Sequence, residues 1–158
     1  MLLILFALTL IGGFAVSVQR WEGQPPTIRF DREFKSLGRK PPLSLQVEDT
    51  GNGLSQISVS LKQKDQLVSL VEESYPGPSL LTFWNTGEKK SATIDLGKLI
   101  SEKYKVQEGP ASLVISASDY SWRGFFGGNH TQLQRDFVFD IYPPRLEVLS
   151  SQHYINQG

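Results

Sequence analysis

The segment "PLSLQVEDTGNGLSQISVSLKQ" (residues 42–63) decides the class of fold. Apolar residues occupy every second position on each side of a central turn. They are Leu43, Leu45 and Val47 before it, and Ile57, Val59 and Leu61 after it. A period of two places the apolar side chains on one face of a sheet and the polar ones in water. The turn, residues 49–53, contains an Asn52–Gly53 pair that tolerates positive φ. The segment therefore predicts two β-strands joined by a turn.

Strand patterns recur along most of the remaining chain. The further predicted strands are TIRF (27–30), QLVSLVEE (66–73), ATIDL (92–96), SLVISASD (112–119), DFVFDI (136–141) and RLEVLS (145–150). Only DLGKLISEKY (95–104) predicts a helix, of about two turns. Short strands separated by turn signals, about seven in roughly 100 residues, are typical of an immunoglobulin-like fold. The prediction is an all-β, immunoglobulin-like antiparallel β-sandwich preceded by an N-terminal hydrophobic helix.

The first 19 residues, "MLLILFALTLIGGFAVSVQ", contain no charged side chain. This length is marginal for spanning a bilayer and equally fits the apolar region of a signal peptide. Ala15 and Ser17 are small residues of the kind a leader peptidase requires. However, no lysine or arginine precedes the run, and Arg20 is the first basic residue after it. We predict membrane contact through residues 2–18, preferring an uncleaved anchor to a cleaved leader and either of these to a buried core helix.

Proline and glycine divide the chain into four predicted parts. Residues 1–19 are the signal or transmembrane anchor, and residues 20–26, which include "EGQPP", are a linker. Residues 27–142 form the sandwich. The paired prolines of "YPPR" (142–145) end it, so that residues 143–158 begin a following, incomplete module.

Composition excludes several kinds of function. The 16 basic and 16 acidic residues give a formal net charge of zero, which argues against a nucleic-acid partner. Cysteine is absent, so disulfides, thiol nucleophiles and cysteine-ligated zinc are excluded. His130, placed in a loop, and His153 lack the neighbours of a zinc site, and no G-x-S-x-G motif occurs. We predict no catalytic, cofactor or metal residue in this chain.

Two aspartates end predicted strands immediately before turns. We expect the carboxylates of Asp49 and Asp119 to accept hydrogen bonds from turn N–H groups. A calcium site that they share at one end of the sandwich is the alternative.

Two aromatic loops form the candidate contact surface. The stretch from residue 117 to 144 is predicted to be a strand–loop–strand hairpin. Its loop and the loop at residues 79–87 supply the candidate residues Tyr120, Trp122, Arg123, Phe125, Phe126, Phe83 and Trp84. Aromatic residues beside arginine are favoured at interfaces. In the alternative interpretation, these rings close the end of the sandwich as a small cluster.

Two sequence stretches carry a resemblance to a known family. "VEDTGNGLSQISVSL" (47–61) and "SASDYSWRGFFGGNHTQLQRDFVFDIYPPRLEVLSSQHYINQG" (116–158) resemble the N-terminal region of membrane-anchored, lysostaphin-like zinc metallopeptidases of Gram-negative bacteria. The similarity covers essentially the whole chain, although residues 64–110 match only loosely. It implies a peptidoglycan-cutting parent protein whose zinc domain lies further along.

The metal-binding motifs of that family, H-x-x-x-D and H-x-H, do not occur here. Gln132 and Gln134 stand at the corresponding positions after His130, and Ile155 and Gln157 after His153. No catalytic residue is therefore carried over, and zinc is expected only in a downstream domain.

Three functions remain open at this point. The first is a non-catalytic, membrane-anchored periplasmic module that tethers or positions a peptidoglycan-directed zinc metalloendopeptidase. The second is a stand-alone adhesive module of the cell envelope that binds glycan or protein. The third is an enzyme with a dispersed carboxylate site. The expected location is the inner membrane facing the periplasm, or the periplasm if the leader is cleaved. Peptidoglycan and envelope proteins are the expected partners besides the membrane.

Overall fold

The structure is a computed structural model that describes residues 1–21, 23–79, 82 and 84–142, apart from the side chain of Phe126. The elements in chain order are α1 (Leu2–Arg20), β1 (Thr27–Phe30), β2 (Ser36–Leu37), β3 (Ser44–Glu48), β4 (Leu54–Gln63), β5 (Gln66–Ser74), β6 (Ser91–Asp95), α2 (Leu96–Lys103), β7 (Gly109–Asp119), α3 (Arg123–Phe126) and β8 (His130–Phe139). Each of the seven strands predicted between residues 27 and 142 corresponds to an observed strand, namely β1 and β3 to β8. The bounds differ most for β8, which begins six residues before the predicted DFVFDI (136–141) and ends at Phe139. RLEVLS and the module predicted at residues 143–158 lie outside the described residues.

The strands form two sheets. One has the order β1-β3-β6 and the other the order β2-β8-β7-β4-β5. Neighbouring strands are antiparallel, except that β2 runs parallel to β8. The sequence did not predict β2, because two residues are too few to show a period. The predicted hairpin at the end of the body is confirmed, since β7 and β8 pair over most of their length.

The turn at residues 49–53 carries the chain from one sheet to the other. β3 pairs with β1 and β6, whereas β4 pairs with β5 and β7. Both strands bury alternate side chains, as their sequence pattern requires. The buried faces of the two sheets contribute to one hydrophobic core, with Leu45 and Val47 on one side and Ile57, Val59 and Leu113 on the other.

The predicted helix at residues 95–104 is confirmed as α2. Asp95 is its N-cap, and the Asp95 carboxylate accepts a hydrogen bond from the Lys98 N–H at 2.9 Å. This bond satisfies one of the N–H groups that a helix start leaves without a partner. Leu96 and Ile100 are fully buried, so α2 packs its apolar face on the core.

The two-sheet body (residues 27–142) has two distinct ends. At the near end, β4 begins, β7 ends and β8 begins, because Leu54 pairs with Asp119, and Ser118 with His130. At the far end, β8 finishes opposite Gly109. With nine steps of about 3.4 Å between its ten residues, β8 spans about 30 Å. The chain therefore leaves the last strand about 30 Å from the near end.

The N-terminal apolar helix is confirmed as α1. Its 19 residues are long and apolar enough to cross a membrane, and its side chains are exposed except near its C-terminal end. A signal sequence has the same length and composition. α1 ends at Arg20, which lies against the near end of the body. The surroundings of the near end are therefore set by the position of α1.

We predict that Leu61→Ala lowers the free energy of unfolding by about 2–5 kcal/mol, because removing a buried side chain leaves a cavity in the core. Leu61 is fully buried, whereas Leu67, on the strand beside it, is 67% exposed. The matched variant Leu67→Ala is expected to change stability by less than about 0.5 kcal/mol. Urea unfolding in detergent measures both. Equal effects of the two substitutions would contradict the assignment of the core face.

Candidate functional site

The near end of the body caps the C-terminus of α1. The last carbonyl groups of a helix have no partner within the helix. Here the Arg20 carbonyl accepts hydrogen bonds from the Trp122 N–H at 2.8 Å and from the Asn52 side-chain amide at 3.4 Å. Both donors come from turns of the two-sheet body. The helix and the body are therefore joined directly at Arg20.

The Arg20 side chain is buried in the same place. It is only 2% exposed, and its Nη1 donates a hydrogen bond to Asn52 Oδ1 at 2.8 Å. The guanidinium lies over the Trp122 ring, 5.7 Å from the ring centre, within the range of a cation–π interaction. The Asp119 carboxylate attracts it electrostatically. We call Arg20, Asn52, Asp119 and Trp122 the Arg20 socket.

The turn between the sheets holds Asn52 in the socket. Gly53 has the positive φ that the sequence predicted for this turn, at +87°. A Cβ atom there would lie 2.5 Å from the Gly87 carbonyl oxygen, so only glycine fits. The Gly87 N–H also donates to the Asn52 carbonyl at 2.6 Å. These contacts leave the Asn52 amide facing both the carbonyl and the guanidinium of Arg20.

Asp119 orders the loop that follows β7. Its Oδ1 accepts hydrogen bonds from the N–H groups of Ser121 at 2.9 Å and Asn129 at 2.7 Å. Its Oδ2 accepts one from the Asn129 side-chain amide at 2.8 Å. The expectation that this carboxylate accepts hydrogen bonds from turn N–H groups is confirmed. The loop is thereby closed at its base, and this closure places Trp122 under the helix end.

Asp49 has the same role in the other turn. Its carboxylate accepts a hydrogen bond from the Gly53 N–H, as expected. Burial raises the pKa of Asp49, the Gly53 hydrogen bond opposes this shift, and the nearby Asp119 charge adds to it. In the part of the chain that the structure describes, no group of three or more histidine, aspartate or glutamate side chains converges on one point. This arrangement gives no support to the calcium alternative.

The segment predicted as a linker also lies against the body. The Thr131 hydroxyl donates to the Pro26 carbonyl at 2.6 Å, and the Asn129 amide donates to the Gln24 carbonyl at 3.3 Å. Pro26 is buried. These bonds hold the chain between α1 and β1 along the start of β8, so they add to the attachment made by Arg20.

Two of the predicted contact residues have structural partners. Tyr120 is half-buried, and its hydroxyl donates to the Tyr75 carbonyl. A Cβ atom on Gly77 or Gly87 would overlap its ring. Trp122 is half-buried beneath Arg20. Both rings therefore pack against other residues of the near end of the body.

Other predicted contact residues are exposed at the near end. Trp84 is 50% exposed and Phe125 fully exposed, and Arg123 is exposed beside the chain leaving α1, with its Nη1 3.4 Å from the Gly23 carbonyl. Phe125 has φ +55°, a strained conformation for a bulky residue. Phe83 and the side chain of Phe126 lie outside the described residues.

The predicted loop position of His130 is wrong. His130 is the first residue of β8, because its backbone continues the ladder with β7 opposite Ser118. Its exposed ring contacts the hydroxyl groups of Ser118 at 3.1 Å and Ser116 at 3.3 Å. His153 lies outside the described residues.

Three residues of the near end were missed by sequence reasoning. Arg20 was noted only as the first charge after an apolar run, and Asn52 only as a turn residue. Asn129 is buried and bonded to Asp119. Apart from the bonds between Asn129 and Asp119, their contacts join segments 32 to 105 residues apart in the chain. A single sequence carries no signal for such contacts.

Known proteins offer little guidance for this chain. No protein-family model and no curated protein matches it. Among solved structures, it is similar to an engineered protein whose crystal structure was determined at 1.98 Å, with 8% sequence identity and a TM-score of 0.39. That similarity covers 75% of this chain and 20% of the other. The chain thus spans about a fifth of the length of that protein.

We predict that Asp49→Asn is at least as stable as the wild type at pH 7. The asparagine oxygen can still accept from the Gly53 N–H, while the cost of burying a charge disappears. Because the folded pKa of Asp49 is raised, the native state binds more protons than the unfolded state between the two pKa values. The advantage of the variant should therefore shrink as the pH falls towards about 4, the unfolded value.

Urea unfolding between pH 4 and pH 7 measures this difference. Asp119→Asn is the matched variant, since an amide puts an N–H group where Oδ2 accepts from Asn129. It should lose about 1–3 kcal/mol at pH 7. A loss in Asp49→Asn that is equal at every pH would contradict the electrostatic explanation.

Proposed function

We propose that this chain is a non-catalytic, membrane-anchored module whose body is an immunoglobulin-like β-sandwich. It tethers a peptidoglycan-directed zinc metalloendopeptidase at the periplasmic face of the inner membrane. The observation that carries the proposal is the burial of Arg20, the last residue of the apolar helix, inside the near end of the body. A flexible tether would not bury the charged last residue of its helix in a fixed set of partners.

The direction of the chain supports a spacer role. α1 meets the body at the near end, and β8 leads away to the far end, about 30 Å further at about 3.4 Å per residue. A domain that follows β8 would begin at that distance from the helix. Since the two sheets share one core, this distance is set by a folded body and not by a linker.

The chemistry of the near end fits a mechanical function. The two buried carboxylates accept hydrogen bonds from backbone N–H groups, and the buried guanidinium is paired with an amide. These interactions fix turns and a helix end. The choice of a zinc metalloendopeptidase as the tethered enzyme rests on the sequence resemblance, which concerns residues 47–61 and 116–158 most closely. Any zinc would be bound by the downstream domain.

We predict that an antibody against residues 27–142 detects a membrane protein much larger than 17.7 kDa in the native host. The physical reason is that a spacer requires a domain to hold at its far end. Immunoblots of membrane and soluble envelope fractions measure this. A membrane band near 17.7 kDa would contradict the tether and favour the stand-alone adhesive module. Hydrolysis of muropeptides by the purified 158-residue chain would contradict the non-catalytic assignment.

A further inference from the structure

The near end of the body carries an apolar notch beside α1. One wall is a stretch of the helix with small residues, in which Thr9, Gly13 and Ser17 recur every four positions and so lie on one face. Trp84 and Trp122 form the opposite wall. The notch has a volume of about 520 Å³. Its lining is almost wholly apolar, so a polar ligand would have few groups to bind.

If α1 crosses the bilayer, the notch extends from the membrane surface towards the bilayer interior, because its helix wall runs from Ser17 to Thr9, about 5 to 16 Å before Arg20. Gly13 is seven residues before Arg20, which corresponds to about 10 Å along the helix. Trp84 reaches this level from a loop of the body. Amphipathic segments that lie in the membrane interface are buried about 5–10 Å below the surface. Trp84 lines a notch that thus opens into the layer where tryptophan is enriched in membrane proteins.

Exposed groups at the near end of the body include both aromatic and basic side chains, the two types found at a bilayer surface. Trp21, the residue after α1, is 63% exposed, and Phe125 is exposed completely. Lys89 and Lys90, which follow the loop at residues 79–87, and Arg123, on the loop after β7, are exposed as well. Aromatic rings favour the interfacial layer, and basic side chains extend from it to anionic headgroups. Phe125 has a strained backbone although its side chain is fully exposed. Backbone strain of this kind is concentrated at functional contacts.

We propose that the near end of the body is seated on the lipid bilayer, with lipid acyl chains filling the notch and Trp84 in the interfacial layer. This inference rests on the anchoring part of the proposed function. It assigns the exposed part of the aromatic surface to lipid and not to glycan. A second copy of α1 fits less well, since small-residue faces pack through close backbone contact. Trp84 and Trp122 of the same chain lie across that face.

Quenching of tryptophan emission by brominated lipids tests the position of Trp84. The full chain is reconstituted in vesicles of phosphatidylcholine and phosphatidylglycerol with brominated acyl chains. The variant Trp21→Phe/Trp122→Phe leaves Trp84 as the only tryptophan. Two reference probes are placed in a chain in which all three tryptophans are phenylalanine. Phe14→Trp, on exposed α1, reports insertion of the helix, and Leu67→Trp, exposed near the far end, reports the distant part of the body.

The expected result is a loss of Trp84 emission comparable with that of the Phe14→Trp probe, with none for Leu67→Trp. Quenching at Phe14→Trp but not at Trp84 would overturn this inference and leave the anchor intact. No quenching at either position would overturn both the inference and the anchor.

Because Trp122→Phe alters the Arg20 socket, the quenching of wild type is also compared with that of Trp84→Phe. If this single substitution does not reduce the quenched emission, the proposal is wrong.

Discussion

Burial of the Arg20 guanidinium is the constraint on which the near end of the molecule depends. Taking an arginine out of water costs several kcal/mol unless other groups replace its hydration. Asn52 supplies a hydrogen bond, Trp122 an aromatic face and Asp119 the opposite charge. Asn52 and Trp122 lie on turns that must themselves be fixed. This explains why the carboxylates of Asp49 and Asp119 accept hydrogen bonds from backbone N–H groups of these turns.

In this arrangement, hydrogen bonds fix the junction between the apolar helix and the folded body. The body caps the last carbonyl of α1, and the chain that follows the helix stays bonded to the start of β8. The opposite end of the body is where β8 finishes. The same geometry underlies the proposed spacer and the proposed seat on the bilayer, because both require that the orientation of the helix be transmitted to the two sheets.

The sequence predicted the strands well and the socket poorly, for physical reasons. The alternating pattern predicts the burial of Leu45, Val47, Ile57 and Val59, because a period of two follows directly from the pleat of a strand. The strands of the segment at residues 42–63 were correct, but their placement in different sheets was not readable, because pairing depends on distant partners. The role of Arg20 was hidden for the same reason: its partners lie 32 to 102 residues further along the chain.

The distance between α1 and the body, measured by pulsed electron resonance, tests the rigid junction most directly. The chain has no cysteine, so Val18→Cys and Lys62→Cys accept one spin label each, both at exposed positions. A single narrow distance distribution is expected, and it should broaden in Arg20→Ala but not in Arg29→Ala, which removes an exposed arginine. A distribution that is broad from the start, or equally narrow in Arg20→Ala, would contradict the role given to Arg20.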